Sequence, residues 1–319
     1  MKSRFFIIVI FVTVLVINAG AQQISRRTQF PINTFMVNPA VAGTQRYSPI
    51  FVSYRNQWAG FEGAPTTIMA SAHTSFGHGL GGGAIIYSDD MGGAISESGF
   101  ELTGAYNIDL NNQDQVSFGL SLNGAQYRFD NSKLIVVDQT DVALNDFQAE
   151  SHFNVDATFG MLIHGEKYYA GFSIPQLVQS RLRLSSDGSP SDNRNIRHYQ
   201  LMGSYRYYVN ETWDVQGSGF MRFTEQTPAQ LDINVRANYA GSAWAGITYR
   251  TNDAVAIMIG GIWKDFTLGY SYDITTTGAR VLSPHTHEIL LGYYMPKKKG
   301  KFRNSSLGPR RLERSKVVN

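Results

Sequence analysis

The sequence predicts an all-β chain, a transmembrane antiparallel β-barrel of about 14 strands with short periplasmic turns on one rim and longer extracellular loops on the other. Three observations carry this expectation. Residues 230–239 alternate without a slip, with Leu231, Ile233, Val235, Ala237 and Tyr239 on one face and Gln230, Asp232, Asn234, Arg236 and Asn238 on the other. A strand with that pattern shows oil on one side and full charges on the other. Segments of about ten residues with the same period recur over most of the chain, a length that suits a tilted crossing of a hydrocarbon layer, whereas strands of soluble sandwiches are nearer five or six. Finally, every second connection between the segments is very short, as the rims of a membrane barrel require.

Taken in order, residues 1–21 read as a cleaved secretory signal: Lys2 and Arg4, an apolar run over 5–17, then Ala19-Gly20-Ala21 as the small-residue cleavage pattern. The apolar run, about 13 residues, is short for a spanning helix, and no run of about 18 follows it, which excludes a helical membrane protein. Residues 22–48 are expected to form an N-terminal segment, either periplasmic or lodged in the barrel as a plug. The barrel occupies 49–295, with strands expected at 50–58, 66–74, 80–88, 98–108, 115–129, 153–164, 168–177, 197–208, 212–223, 229–239, 243–250, 254–263, 266–273 and 287–294. Residues 296–319 form a basic tail.

The connections give these strands a direction. Those at 75–79, 109–114, 165–167, 209–211, 240–242 and 264–265 are short, while 130–152, 178–196 and 274–286 are long and 251–253 is an exception. An even strand number then places both ends of the barrel on the short-turn, periplasmic side, and the loops around 134–147 and 181–194 on the outside. Alternation alone does not separate this barrel from a soluble β-sandwich, because a sandwich also hides one face of each strand. Strand length and loop parity favour the barrel. Aromatic residues make up 13% of the chain and there are 31 glycines, a composition that suits strands, tight turns and crowded barrel interiors.

Charge and cysteine content narrow the function classes. There is no Cys, so an exported chain of this kind is stabilised by packing and hydrogen bonding without disulfide staples. The net charge of +3 is uneven: residues 296–319 hold nine Lys or Arg against the single Glu313, which leaves the body of the chain acidic. The basic character belongs to the tail, and with no aromatic-basic stripe present, nucleic acid is not an expected partner. The tail is read as a solvated extension or as a tether to an acidic partner.

If the apolar faces meet lipid, Arg55, Glu101, Asp156, Arg206, Asp232, Arg236, Arg250, Asp273 and Glu288 all point into the lumen, where charges persist because they pair or meet water. A bracing salt-bridge network is one reading of this lumen and a solute-selective pore is the other. Signals for chemistry are sparse. His285 and His287 share a strand face while Glu288 takes the other, and no third ligand stands near them at a metal-binding spacing. His73, His78, His152, His164 and His198 are dispersed near strand ends and read as interfacial polar residues. The run from Gly77 to Gly83 opens a strand, not a helix, and lacks the Lys-Ser/Thr of a phosphate-binding loop. There is no Gly-x-Ser-x-Gly elbow around a catalytic serine. The expectation is therefore a protein with no catalytic residues, no cofactor and no metal.

The residues also resemble a known family. Asn38-Pro39-Ala40-Val41-Ala42-Gly43 is similar to the Asn-Pro-Ala-Tyr-Ala-Gly signature near the mature N-terminus of the PorP/SprF family of type IX secretion proteins of Bacteroidetes, with Val41 in place of Tyr. Tyr169-Ala170-Gly171-Phe172-Ser173-Ile174-Pro175-Gln176-Leu177, Arg197-His198-Tyr199, Gln230-Leu231-Asp232-Ile233-Asn234, Trp244-Ala245-Gly246-Ile247-Thr248-Tyr249-Arg250, Gly269-Tyr270-Ser271-Tyr272-Asp273 and His287-Glu288-Ile289 follow in the family's order. The resemblance implies a non-enzymatic outer-membrane barrel that supports secretion or surface attachment of adhesin-like cargo bearing a C-terminal sorting domain. Its implied partners are that cargo, periplasmic or peptidoglycan-linked components of the system, and outer-membrane lipid. An uptake channel for a small or hydrophobic solute is the alternative function, and an outer-membrane hydrolase a third.

Overall fold

The structure, a computed structural model, describes residues 27–111, 113–130, 150–180, 194–225, 227–281, 283–296 and 306–309. The expected signal peptide, the expected outer loop at 134–147, all but Arg194 of that at 181–194, and most of the basic tail lie outside the described residues. The strands are β1 Tyr47–Asn56, β2 Thr66–Gly77, β3 Leu80–Asp90, β4 Ile95–Asp109, β5 Gln115–Phe129, β6 Glu150–His164, β7 Tyr168–Ile174, β8 Tyr199–Tyr208, β9 Trp213–Phe223, β10 Gln230–Tyr239, β11 Ala243–Arg250, β12 Ala254–Trp263, β13 Phe266–Thr275 and β14 His285–Pro296. Each pairs antiparallel with its neighbours in sequence, and β1 pairs with β14 to close the barrel. Closure gives every strand a hydrogen-bonded neighbour on both sides, the arrangement by which strands cross a membrane. No α-helix occurs among the described residues.

Side-chain alternation fixes the two faces. On β10, Leu231, Ile233 and Val235 are exposed on the outside, while Asp232 and Asn234 are fully buried at 0% and Arg236 nearly so. The same holds on β11, where Ile247 and Tyr249 face out and Thr248 and Arg250 face in. Aromatic side chains border the outer apolar band, as they do where a barrel meets the membrane interface. At the short-turn rim Trp213 packs on Tyr239 with ring centroids 4.8 Å apart, Phe266 on Tyr293 at 4.9 Å, and the Lys264 ammonium lies 4.4 Å over the Trp263 ring. Near the opposite rim Tyr270 and Tyr272 hydrogen-bond His287 and His285.

This arrangement makes Ile247→Arg and Trp263→Arg a useful pair. The first puts a charge midway along β11 on the lipid face and is expected to cost about 2–4 kcal/mol; the second lies at the rim and should cost about 0–1 kcal/mol. Urea unfolding of the protein refolded into lipid vesicles reads both values. Equal costs would mean that the outer band does not lie in hydrocarbon.

The hairpin from β2 to β3 turns through Gly77, His78 and Gly79, with φ of +89°, +51° and +80°. Two glycines supply the left-handed backbone that side chains resist, which accounts for the glycine run without any phosphate chemistry.

A barrel of 14 strands is wider than its own inward side chains can fill. Residues 27–46 take up that space and do not remain at the short-turn rim where β1 begins. Thr28 donates its backbone N–H to Glu288 and its hydroxyl to Asp273, toward the long-loop ends of β14 and β13. Asn33 donates to Ser71 midway along β2 at 2.8 Å, and Gly43 lies against Gly81 at the short-turn end of β3. The segment thus descends the lumen from the long-loop end to the short-turn end. Its apolar side chains, Phe30, Phe35, Ala40, Val41 and Ala42, share a buried cluster with wall residues such as Met69, Ile85, Leu162 and Phe220. Of the tail, the described residues 306–309 are no solvated extension: Ser306 and Leu307 are buried in the short-turn mouth.

Candidate functional site: a filled and braced lumen

The charges of the lumen gather in two places. Toward the long-loop end, Arg55 of β1 reaches Asp273 of β13 at 3.0 Å and Glu288 of β14 at 3.1 Å. Arg250 of β11 joins Asp232 of β10 at 3.1 Å, Asp253 at 3.0 Å and Asp273 at 3.4 Å, and Arg222 of β9 reaches Asp232 at 3.5 Å. The Thr28 hydroxyl stands at the centre: it accepts from Arg55 at 3.2 Å and from Arg250 at 3.1 Å while donating to Asp273 at 2.7 Å. Six of the seven strands from β9 round to β1, all but β12, are tied through one hydrogen-bonded knot, and the N-terminal segment is threaded into it. Buried ions pair in this way because an isolated charge removed from water is costly.

The second cluster lies nearer the short-turn end. Arg206 of β8 approaches Asp214 of β9 at 3.5 Å, and Arg206 and Arg236 both donate to the Gln216 side-chain oxygen, at 3.1 and 2.6 Å. Asn238 donates to Asp214 at 2.6 Å, and the Arg236 guanidinium lies 5.9 Å over the Trp244 ring.

Of the nine lumenal charges expected from sequence, Arg55, Asp232, Arg250, Asp273 and Glu288 come together in the first cluster, and Arg206 and Arg236 meet in the second. Asp156 and Glu101 join neither. Asp156 caps the connection after β7, accepting from the Val178 N–H at 2.9 Å and the Ser180 N–H at 3.3 Å. Glu101 faces the charge of Arg27 on the wall formed by β3 to β6. Nearby, Tyr87 of β3 donates to Glu97 of β4 at 2.6 Å and Thr67 of β2 to Asp89 of β3 at 2.7 Å. Sequence reasoning missed Arg222 and Asp214, although both sit at the inward parity of β9 that alternation would have assigned. Thr28 carried no such signal, because the segment that holds it has no period.

The Asn-Pro-Ala motif has a defined mechanical role in this lumen. Asn38 caps the short 3₁₀ turn Pro39–Val41 by accepting from the Ala40 N–H at 2.9 Å. Its amide nitrogen donates to the backbone carbonyls of Met161 on β6 and Phe172 on β7, both at 3.1 Å. One side chain thereby fastens the segment to two strands of the wall. Pro39, Ala40 and Ala42 lie against inward glycines: a Cβ at Gly160 would collide with Asn38 and Pro39, one at Gly119 with Pro39 and Ala40, and one at Gly81 with Ala42. Gly43 closes the motif at φ +80°, with Gly81 so near that a Cβ would lie 2.7 Å from its Cα. The motif residues and the wall glycines are two halves of one contact.

The dispersed histidines divide differently from expectation. His73 and His164 are buried within the wall and His198 in the connection before β8, not spread along an interface. His73 accepts from the Gly43 N–H at 3.3 Å and packs on Phe35 at 4.9 Å, so it belongs to the contact with the segment. Among the described residues no group of three or more His, Asp or Glu is placed to hold a metal ion. At the short-turn rim the connection from β4 to β5 is built by Asn111, which accepts from the backbone N–H groups of Gln113 and Asp114. The Asn111 amide and the Tyr168 hydroxyl hold the Asp114 carboxyl below the usual carboxylate range.

An even-stranded, closed, single-chain barrel with an apolar outer wall and a polar, occupied interior is a protein of the outer-membrane class. The chain belongs to the PorP/SprF family: the family described as type IX secretion system membrane protein PorP/SprF matches residues 19–293. Among solved structures, a FadL homologue of Pseudomonas aeruginosa is similar at 9% identity over 86% of this chain and 96% of that one, with a TM-score of 0.47. The TodX monoaromatic hydrocarbon channel, as its deltaS2S3 mutant, gives 9% identity over 83% and 94%, with a TM-score of 0.48. Omp33 of Acinetobacter baumannii gives 6% identity over 79% and 100%, with a TM-score of 0.46. No curated protein matches the chain.

Proposed function

We infer that this barrel serves type IX secretion as a non-enzymatic accessory protein. It supports the export or surface attachment of cargo bearing a C-terminal sorting domain, adhesin-like proteins among them, which it meets at its long loops. At its short-turn rim it meets periplasmic or peptidoglycan-linked components of the same system. Family membership supports the system. The mode of action rests on one observation, the occupation of the lumen by residues 27–46 and of its short-turn mouth by residues 306–309. A barrel filled by its own chain and bound to that filling through buried hydrogen bonds favours work at the rims over passage through the middle. In the orientation usual for such barrels, short turns face the periplasm; the mouth held by 306–309 is then periplasmic and Thr28 lies toward the cell exterior.

Deleting the gene and complementing it with the full chain tests the reading. Surface levels of one or a few sorting-domain proteins should fall on deletion and recover on complementation, with small-solute permeability unchanged. An unaltered surface proteome accompanied by defective uptake of a solute would establish the channel instead.

A further inference from the structure

Four residues of the tail are bound in the short-turn mouth as a peptide ligand would be. The Ser306 N–H donates to the Gly165 carbonyl at 3.0 Å. The carbonyls of Ser306, Leu307 and Gly308 then each accept from a side chain: Arg206 donates to the first at 3.1 Å and to the third at 2.8 Å, and Gln45 donates to the second at 3.2 Å. Leu307 is only 3% exposed and joins the apolar cluster that holds Val41 and Ala42. Gly308 lies so close to the Tyr47 ring that a Cβ has no room unless the ring moves. With the segment in place, the cavity left between Arg206, Trp244, Tyr294 and Pro309 is about 30 Å³, the space of roughly one water.

We propose that the short-turn mouth is a cleft for a turn-forming peptide of the type Ser-Leu-Gly, held in this chain by its own residues 306–309, which form a turn there, as a releasable latch. Hydrogen bonds to the peptide main chain supply the affinity, and the leucine pocket and the closely approached glycine supply selectivity. Arg206 shows that the cleft is built for an occupant. It is 3% exposed, and its Nη2 spends two of its hydrogen bonds on the segment. Emptying the cleft leaves a buried cation short of acceptors, a costly state unless another peptide or water replaces them. The latch is local, since the bonds named here involve only residues 306–308, so it opens without unfolding the barrel. Opening it uncovers the cleft to a partner peptide of the same chemistry.

The test uses the full chain with Ser306→Cys, a near-isosteric change at a residue that is 1% exposed in a protein that otherwise has no cysteine. In the folded barrel, verified by its heat-modifiable gel mobility, maleimide should label this thiol at least about tenfold more slowly than in the urea-unfolded chain. Adding Leu307→Asp should restore rapid labelling while the folded mobility is kept. An excess of a synthetic peptide with the sequence of residues 304–311 should also accelerate labelling of the single variant, and the same peptide with Asp at the leucine position should not. Rapid labelling of the folded single variant would overturn the latch. Indifference to the matching peptide would overturn the cleft.

Discussion

Arg250→Met is expected to destabilise the barrel by about 3–5 kcal/mol, because it removes one cation of a buried ion cluster and leaves an excess of buried carboxylate charge. Arg250 is almost fully buried and supplies Asp232, Asp253 and Asp273 together, and it also donates to the Thr28 hydroxyl. Without it, Arg55 and Arg222 remain against the carboxylates of Asp232, Asp253, Asp273 and Glu288. Methionine keeps most of the volume, so the loss measures charge and hydrogen bonding more than packing. The midpoint of urea unfolding in vesicles should fall accordingly. Adding Asp232→Asn should return part of the loss, since it neutralises one of the buried carboxylates that Arg250 served; the coupling between the two changes is the pairwise quantity that a double-mutant cycle isolates. A loss below about 1 kcal/mol would place the cluster in contact with water, where ion pairs contribute little.

Gly160→Val acts on the other fastening of the segment. The new Cβ has no space beside the Asn38 side chain, and it falls 2.8 Å from Pro39 Cδ and 2.9 Å from Cγ. Overpacking of this kind costs about 1–3 kcal/mol. If Asn38 is driven off, the Met161 and Phe172 carbonyls that accept from it lose a buried donor, a further loss of about 1–3 kcal/mol. The combined effect should release residues 27–46 from the wall, so limited proteolysis should cut within that segment in the variant and not in the native barrel. Gly217→Val is the control: it adds the same side chain to a strand glycine whose Cβ position is open, and it should change stability by no more than about 0.5 kcal/mol. Equal behaviour of the two variants would refute a tight contact between the motif and the wall.

These two fastenings differ in how far the sequence announced them. The period of two made β10 legible, and it placed Asp232 and Arg236 inside. The remaining strands were found for the same reason, and their ends differ where local chemistry overrides the period. β7 stops at Ile174, short of the expected 177, because Pro175 brings no N–H to the ladder and Gln176 takes a φ of +56°. β4 begins at Ile95 instead of 98, continuing its pairing with β5 through polar residues that carry no apolar signal.

Pairing within the ion cluster needed more than alternation. Asp232 faces Arg250 and Arg55 faces Glu288 only because of the β10–β11 and β1–β14 registers. The reach from Arg55 to Asp273 spans an intervening strand, which neither composition nor spacing encodes. The path of residues 27–46 was the least legible feature. Its hydrogen bonds run to groups as far as 262 residues away, as between Gln45 and Leu307, so no local pattern exists to read. From sequence, residues 22–48 stay open between a periplasmic segment and a plug.

A native barrel filled by its own chain should carry no current through its lumen. In electrical recordings of the full-length protein in planar lipid bilayers, the native protein should give no sustained conductance steps, and steps should appear once Gly160→Val has displaced the segment. Stable, solute-sized openings from the native protein would contradict a filled lumen.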